Sequence, residues 1–401
     1  MKEKSSTETE IRELHIREII SGAINGKKSF AFWKKQGQPQ LLGIVDLGEQ
    51  PSTDKGDLEE ASPGFAVSPF LNEGRKKNIK INADLVFTPT DNSSGFQVNP
   101  AVGVSNEQTD SFIQGAFEPL RPALLEAYFP ATDMVAASQK GNFIDIVNKA
   151  KENIKAEVFN KVVPSRYTDV SYPPGWDFIS AFEKLHQLYP NAFVYVFGIP
   201  GVGIWMGATP ELLLSIVDGR WFKSVALAGT QRIPESGDLS QVAWTQKEIE
   251  EQALVCRYII NCFKKIRLRE YEEKGPISIK AGNMAHLKTE FYVDMEAVNF
   301  PQLGSVMLDL LHPTSAVCGM PLEPSLQFLK EFEGFDREFY TGYLGPVNMQ
   351  GSTQLYVNLR SMKLLSNRAR LFAGAGVTED SIAEKEFEET ELKLQTLMCL
   401  F

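Results

Sequence analysis

The sequence predicts an α+β fold with antiparallel sheets, organised as one large interlocked domain. Short strand-like runs of hairpin type alternate irregularly with helical stretches, whereas a parallel sheet would need a regular succession of strand and helix. The chain has 401 residues, of which 43% are hydrophobic, and this is enough for a large core. No linker rich in proline, glycine and serine separates two halves.

Residues 1–140 form a β-rich N-terminal portion of this fold. Residues 1–26 are expected to be a polar helix, since Ile11, Leu14 and Ile19 give it a partial apolar stripe. The polar segment 88–112 is interpreted as a long loop. Between them lie four runs typical of strands: "KSFAFWK", "QLLGIVDL", "GFAVSPF" and "ADLVFT".

Residues 141–401 mix helices and strands and contain every motif that points to chemistry. The run "NFIDIVNKAKENIKAEVFNKVV" has apolar residues at helical spacing and predicts a helix, which is followed by a strand at "VVPSR". Further helices are predicted near 177–189, 244–268, 301–311 and 324–332, with a closing helix from about Ser381. The predicted strands are "AFVYVFG", "VGIWMGATPELLLSIV", "RWFKSVALAGT", "EFYVDM", "TQLYVNLRSMKLL" and "RARLFAGAG".

The overall charge excludes some classes of partner. A formal net charge of -10 argues against nucleic acid, whose phosphates require basic patches. No run approaches the ~20 apolar residues of a membrane span, and the charged N-terminus lacks a signal-peptide core. The four cysteines have no metal-ligand spacing. We therefore expect a soluble, cytoplasmic protein, in which an anionic substrate would need local cations from a few lysines and arginines or from a metal.

Two pairs of glutamates lie three residues apart on predicted helices: Glu248 with Glu251, and Glu386 with Glu389. Residues at this spacing share a helix face. Taken alone, each pair is typical of a solvated surface. Brought together, four carboxylates would repel one another unless a cation lay among them, and an all-oxygen set suits Mg²⁺. The histidines are scattered, at His15, His186, His286 and His312, and offer no zinc site.

The segment "GAGVTEDS" carries a glycine turn before the last acidic helix. It does not match the G-x-G-x-x-G pattern of dinucleotide-binding proteins. Gly374 and Gly376 can instead let backbone N–H groups approach a small anion such as a carboxylate.

A series of motifs resembles the chorismate-utilising enzymes, in the order of that family, over roughly residues 140–400. They are "KVVPSR", "GATPELLL", "ALAGT", "KEIEEQ", "HLKTEF", "LHPTSAVCG", "REFYTGYLGPV", "LYVNLRS", "GAGV" and "EFEETELK". The resemblance implies two interleaved halves with stacked antiparallel sheets and outer helices. It also implies that the two Glu-x-x-Glu helices hold Mg²⁺, which bridges to the ring carboxylate of chorismate.

The resemblance further predicts an isochorismate synthase, which isomerises chorismate through attack of water at C2 and loss of the C4 hydroxyl. Lys161 matches the lysine of isochorismate and salicylate synthases, where anthranilate synthases typically have glutamine. Water needs a base, and burial can prepare a lysine for that role. Glu211 is expected to protonate the leaving hydroxyl, because desolvation can raise a carboxyl pKa.

The same resemblance predicts the substrate contacts. Arg360, Tyr340, Lys393 and the amides near Gly374 and Gly376 are expected to bind the carboxylates, and an arginine fork suits both oxygens. Gly229 and Thr230 are expected to line the ring pocket, with His312 near the leaving hydroxyl. For His286, a structural role and a site role are weighed equally.

Two departures from the family pattern, and one difference from a single branch of the family, bear on this hypothesis. Gln252 replaces a common histidine but can still bond a ligand glutamate, and Ala383 replaces a proline before the last helix. Ala228 stands where aminodeoxychorismate synthases have a nucleophilic lysine, which argues against covalent capture of the ring. The alternatives are a salicylate synthase and a non-catalytic chorismate-binding protein. The pathway served, menaquinone or siderophore, stays open, as does the oligomeric state, for which a monomer is compatible.

Overall fold

Two nine-stranded antiparallel sheets and a two-stranded one form the β structure of the computed structural model. The structure describes residues 13–53, 56–72, 78–90, 95–129, 140–234, 236–281 and 284–401. Every strand pairing in these ranges is antiparallel, as in the hairpins formed by residues 29–46 and 193–209. The predicted α+β class with stacked antiparallel sheets is therefore confirmed.

The strands follow in chain order. They are β1 (Ser29–Lys34), β2 (Leu41–Asp46), β3 (Ser52–Thr53), β4 (Gly64–Ser68), β5 (Ile79–Asn82), β6 (Leu85–Pro89), β7 (Phe96–Pro100), β8 (Lys161–Val162), β9 (Ser165–Ser171), β10 (Phe193–Ile199), β11 (Gly203–Thr209), β12 (Leu212–Val217), β13 (Trp221–Arg232), β14 (Glu272–Ala281), β15 (Met284–Asp294), β16 (Gly319–Met320), β17 (Tyr343–Val347), β18 (Ser352–Val357), β19 (Ser361–Leu364) and β20 (Arg368–Gly374).

The α-helices of the described residues lie outside these sheets. They are α1 (Ile16–Asn25), α2 (Asn106–Ala116), α3 (Pro122–Leu125), α4 (Lys140–Lys155), α5 (Phe178–Leu188), α6 (Gln246–Lys265), α7 (Leu303–Leu311), α8 (Leu322–Phe332) and α9 (Ala383–Met398).

The chain interleaves its two ends in both sheets. The first sheet has the order β7-β6-β2-β1-β10-β11-β19-β20-β9, and the second has the order β14-β15-β13-β12-β18-β17-β4-β5-β3. In the second sheet β4 pairs directly with β17, and in the first sheet β10 and β11 lie between β1 and β19, so both sheets combine strands from residues 29–100 with strands from residues 343–374. The interlocked arrangement explains why no linker is found in the sequence.

Aromatic side chains fill the space between the sheets. Phe193 of the first sheet stacks on Tyr356 of the second, with ring centroids 4.1 Å apart and an interplanar angle of 11°. Trp33 and Phe65 also pack across the layer, with ring centroids 5.3 Å apart and planes tilted by 39°. Fully burying one such side chain contributes roughly 1.5–3 kcal/mol, so this layer is a main source of stability.

Helices cover the outer face of each sheet. Residues of α1, α2, α5 and the second half of α9 pack on the first sheet. Residues of α6 and α7 pack on the second sheet. A capping box at Thr245 and Glu248 begins α6, which fixes the first acidic pair at the N-terminal end of that helix.

The structure corrects the interpretation of segment 88–112 as a long loop. This segment contains the end of β6, all of β7 and the first half of α2. β7 is the edge strand of its sheet, where polar residues are tolerated on the exposed side. Ser105 and Gln108 form a capping box at the start of α2, so polar residues there mark a helix.

The helix predicted over residues 1–26 is seen in part. α1 begins at Ile16, and residues 1–12 lie outside the described residues. Among the helices that the structure describes, none has the length and apolar character to cross a membrane.

Candidate active site

A cavity of about 120 Å³ is lined by residues of both sheets and of the helices α6 and α9. The structure brings most of the predicted site residues to this one cavity. Those in its wall are Glu211, Gly229, Thr230, Glu248, Glu251, Tyr340, Arg360, Gly374, Gly376, Glu389 and Lys393. Lys161 and Glu386 lie directly behind wall residues, as described below.

Lys161 lies on a short strand held from both sides. β8 pairs with β16 on one side, and Val162 forms a bridge with Val377 of the glycine turn on the other. The side chain of Lys161 is only 2% exposed, and its Nζ donates to Glu251 Oε1 at 2.8 Å. A Cβ on Gly376 would lie 3.0 Å from Lys161 Cε, so a side chain there would crowd the lysine.

Glu211 occupies the turn where the chain passes from the first sheet to the second. Its backbone N–H donates to Thr209 Oγ1 at 3.3 Å, and its carbonyl accepts from Val357 N–H at 2.9 Å. Burial raises the pKa of its carboxyl to about 7, although the positive charges of Lys161 and Lys393 oppose the rise. This carboxyl can therefore hold or release a proton near neutral pH.

The first acidic pair projects from α6. Glu248 accepts from the backbone N–H of Thr245 at 2.8 Å, as expected of a capping box. Gly229 has a φ of +68°, and a Cβ there would lie 3.0 Å from Glu248 Cβ, so only glycine lets β13 approach this helix so closely. Burial pushes the pKa of Glu251 upward, but Lys161, Lys393 and Lys247 outweigh this effect and lower the pKa to about 2.

The second acidic pair projects from α9, and each of its members has a lysine partner. Lys247 Nζ donates to Glu386 Oε1 at 3.0 Å, and Glu386 is only 2% exposed. Lys393 lies 2.6 Å from Glu389 Oε1 and also donates to the carbonyl of Gly374 at 2.8 Å. The four carboxylates are thus matched by protein cations and a helix cap.

The acidic pairs offer carboxylate oxygens as possible metal ligands. In the part of the chain that the structure describes, no three histidine, cysteine or carboxylate side chains are grouped so that they could hold a metal ion. Three of the four glutamates bond to lysines. Their chemistry fits Mg²⁺, because oxygen donors from two helices are present and their ionised forms are stabilised. Loading the ion would require these bonds to be exchanged.

Cations and a phenol lie at the remaining walls. Arg360 has a backbone φ of +48°, which is unusual for a non-glycine residue and directs its side chain from the end of β18 into the wall. Tyr340 stacks on Phe372 at 5.2 Å, beside the glycine turn. This end of the cavity can bind a carboxylate through the arginine and the turn amides.

The two histidines considered from the sequence are placed differently. His286 lines the cavity, and its Nδ1 donates to the carbonyl of Gly229 at 2.9 Å. Burial and the charge of Arg360 lower the pKa of His286 to about 4, so the ring is neutral. His286 therefore offers Nε2 as an acceptor.

His312 lies away from the cavity wall, contrary to the expected place near the leaving hydroxyl. Its Nε2 donates to the carbonyl of Pro69 at 3.1 Å, and its ring packs edge-on against Tyr343 at 5.0 Å. Burial lowers its pKa to about 4. These bonds make it part of the scaffold behind the site.

Arg337 is a wall residue that sequence reasoning missed. It pairs with Glu333, four residues earlier, at 2.7 Å and donates to the carbonyls of Val163 and Val317. Glu333 in turn accepts from the backbone N–H of Ser165 at 2.6 Å. The pair therefore fastens the strand after Lys161 to the loop after His312. The i,i+4 spacing of opposite charges was the available signal.

The predicted hydrogen bond from Gln252 to a ligand glutamate is not formed. Its Nε2 donates to the carbonyl of Ala226 at 3.2 Å and to Thr289 Oγ1 at 3.0 Å. Gln252 therefore ties α6 to the second sheet. It makes no hydrogen bond to the acidic pairs, three of whose glutamates bond to lysines instead.

The two stacked antiparallel sheets enclose a cavity lined by acidic helices, Arg360 and Lys393, which is an arrangement that an enzyme acting on a small anionic molecule would need. The chain matches the family model for chorismate binding enzymes over residues 95–401. It belongs to that family, as the motifs indicated.

Several relatives share this family. Isochorismate synthase EntC of Escherichia coli (strain K12) is 30% identical over 271 residues, which cover 66% of this chain and 68% of that protein. Anthranilate synthase component 1 of Methanothermobacter marburgensis is 28% identical over 271 residues, covering 65% of this chain and 56% of that protein. The structure of MenF, the menaquinone-specific isochorismate synthase from Escherichia coli, has a TM-score of 0.71 and 20% identity, and covers 94% of this chain and 91% of that one.

Proposed function

We propose that this chain is an isochorismate synthase, which converts chorismate into isochorismate. The observation that carries the proposal is the proximity of a buried lysine and a carboxyl with a pKa of about 7 at one cavity. A base and an acid are what a reaction with water as nucleophile and hydroxide as leaving group requires. The similarity to proteins named isochorismate synthase supports the same choice.

The proposed reaction is a substitution with movement of the double bonds. Lys161 accepts a proton from a water molecule as the water oxygen bonds to C2 of chorismate. The ring double bonds shift, and the bond between C4 and its hydroxyl breaks. Glu211 gives its proton to this hydroxyl, which leaves as water. One water is consumed and one is released, so the reaction is an isomerisation.

The rest of the wall positions the substrate. Arg360 and Lys393 supply positive charge for the carboxylates, together with the amides near Gly374 and Gly376. Tyr340 supports that end through its stack on Phe372. Gly229, Thr230 and the neutral His286 lie beside the ring position. The acceptor nitrogen of His286 suits a ring hydroxyl, a role that sequence reasoning gave to His312.

Mg²⁺ is the proposed cofactor, held by Glu248, Glu251, Glu386 and Glu389. When bound, the ion would neutralise the ring carboxylate and so favour the movement of electrons through the ring. The glutamates would hold the ion, while Lys161 accepts a proton from water and Glu211 donates one to the leaving hydroxyl.

Turnover should accordingly depend on Mg²⁺. We expect loss of activity in EDTA and recovery on addition of Mg²⁺, as measured by isochorismate formation. Glu389→Gln should raise the Mg²⁺ concentration for half-maximal activity at least about tenfold, because a neutral amide is a weaker ligand for a hard cation. Glu388→Gln removes the same charge from an exposed neighbour and should leave this concentration unchanged. Undiminished turnover in EDTA would contradict the metal proposal.

The product distinguishes the proposal from its rivals. Starting from pure isochorismate, we expect chorismate to appear without salicylate, since both compounds are similar enol ethers and the reaction should be reversible. Chromatography of a time course measures this directly. Stoichiometric salicylate and pyruvate would identify a salicylate synthase, and tight binding of chorismate without turnover would identify a non-catalytic binding protein.

A further inference from the structure

Lys247 is a cation within the acidic part of the cavity that the proposed reaction does not use. It lies on α6, directly before Glu248, and its ammonium reaches across to Glu386 of α9 at 3.0 Å. The lysine side chain is 40% exposed, whereas Glu386 is 2% exposed. The contact therefore joins the two helices that carry the acidic pairs.

The ammonium has several of these carboxylates as neighbours. Burial pulls the pKa of Lys247 down, but Glu386, followed by Glu389 and Glu251, raises it above its usual value. Members of both acidic pairs thus act on one lysine. A charge in this position does what a metal ion would do, since it offsets the repulsion among the glutamates.

We propose that Lys247 is an internal competitor of the divalent cation, so that the ion binds only when the Lys247–Glu386 ion pair opens. The inference rests on the proposed Mg²⁺ site. Glu386 is nearly inaccessible and its Oε1 is already bonded, so an ion approaching the pair of α9 meets a carboxylate that is occupied. Breaking a charged hydrogen bond with a buried partner costs free energy, and this cost weakens metal binding.

As a consequence, the affinity of the site for Mg²⁺ is low in the substrate-free protein. The two helices stay together without the ion, because the lysine neutralises them. A substrate carboxylate adds a further ligand and shifts the competition toward the metal. Lys247 thereby favours loading of the ion together with the substrate over loading of the ion alone.

The test is calorimetric titration of Mg²⁺ into the substrate-free, metal-free protein. Lys247→Met keeps the length of the side chain and removes its charge. It should lower the Mg²⁺ dissociation constant about tenfold, in line with the loss of one charged hydrogen bond that opposes binding. Because removing any positive charge near the site also favours a cation, the matched control is Lys385→Met.

Lys385 directly precedes Glu386, as Lys247 directly precedes Glu248, and its side chain is exposed. The dissociation constant of Lys385→Met should stay within about twofold of the wild type. A second readout is thermal unfolding in EDTA, where Lys247→Met should melt at a lower temperature than Lys385→Met, with the difference disappearing in saturating Mg²⁺.

The outcomes separate this inference from the metal proposal. If the wild type binds Mg²⁺ and Lys247→Met binds it no more tightly than Lys385→Met, Lys247 is not a competitor. If neither the wild type nor Lys247→Met binds Mg²⁺, with or without chorismate, the metal site itself is wrong and this inference falls with it. Binding that is detectable only in Lys247→Met would support both.

Discussion

Replacing Lys161 by alanine is expected to lower kcat for isochorismate formation by about a thousandfold, within the roughly 10²–10⁴-fold range of general base catalysis. The lysine is buried, and its Nζ is held at the cavity by Glu251 at 2.8 Å. Among the described wall residues, the other groups that could accept a proton are less suited: the acidic pairs are bonded to lysines or to a helix cap, and burial lowers the pKa of His286 to about 4. Steady-state kinetics at saturating chorismate and Mg²⁺ measures the loss.

The variant Lys161→Gln separates basicity from packing. A glutamine amide can still donate to Glu251 but cannot accept a proton from water. Both variants should therefore lose turnover to a similar extent while binding chorismate in a calorimetric titration. Thermal unfolding checks that each is folded. If Lys161→Gln keeps more than about a tenth of the wild-type kcat, corresponding to less than ~1.4 kcal/mol of barrier, Lys161 is not the base.

The acidic helices were predictable because helix periodicity is a local property. The spacing of Glu248 with Glu251, and of Glu386 with Glu389, places each pair on one face whatever the rest of the chain does. The contact between the two helices is not local. It depends on how α6 packs on the second sheet and α9 on the first, and only the resemblance to a family supplied it in advance.

Polar strands at the edge of a sheet could not be predicted from the sequence. β7 and β14 each lie at one end of their sheet, and both carry polar or charged residues that are largely exposed. An edge strand is stabilised by pairing on one side only, so its composition approaches that of a loop. Segment 88–112 was misinterpreted for this reason, and β14 was not predicted at all.

The roles of the histidines show a similar limit. His286 lies on β15, and the pairing register of that strand with β13 turns the side chain toward the cavity. His312 follows α7 and turns toward Pro69. Neither direction follows from spacing, because each depends on contacts with segments more than fifty residues away. Lys247 and Arg337 were missed for a related reason, since a single charge in a motif is usually solvated.

Glu211→Gln should also lower kcat, by about 10²–10³-fold, because the leaving hydroxyl loses its proton donor. The amide has the size of the carboxyl and can keep the same backbone contacts with Thr209 and Val357, so the turn should fold normally. Glu250→Gln, an exposed charge removal on α6, is the matched control and should retain full activity.

The pH dependence of kcat/KM gives the sharper test of this role. In the reactive state the two groups together carry one proton: Glu211 is protonated and the Lys161 amine is free. The carboxyl gives its proton to the leaving hydroxyl while the amine takes one from water. The Lys161 Nζ is ion-paired with Glu251 at 2.8 Å, so a proton on Glu211, whose pKa is about 7, is one more than the reactive state holds. kcat/KM should therefore rise about tenfold per pH unit up to about pH 7 and then level off.

The reverse reaction supplies an internal check on this assignment. It starts with Lys161 protonated and Glu211 ionised, which is the same number of protons in a different place. Since chorismate and isochorismate carry equal charge, kcat/KM must follow the same rising limb in both directions. Glu211→Gln should abolish the levelling at about pH 7, because the carboxyl that titrates there is gone. A profile that still levels off at about pH 7 in this variant would assign the inflection to another group and remove Glu211 from the proton transfer.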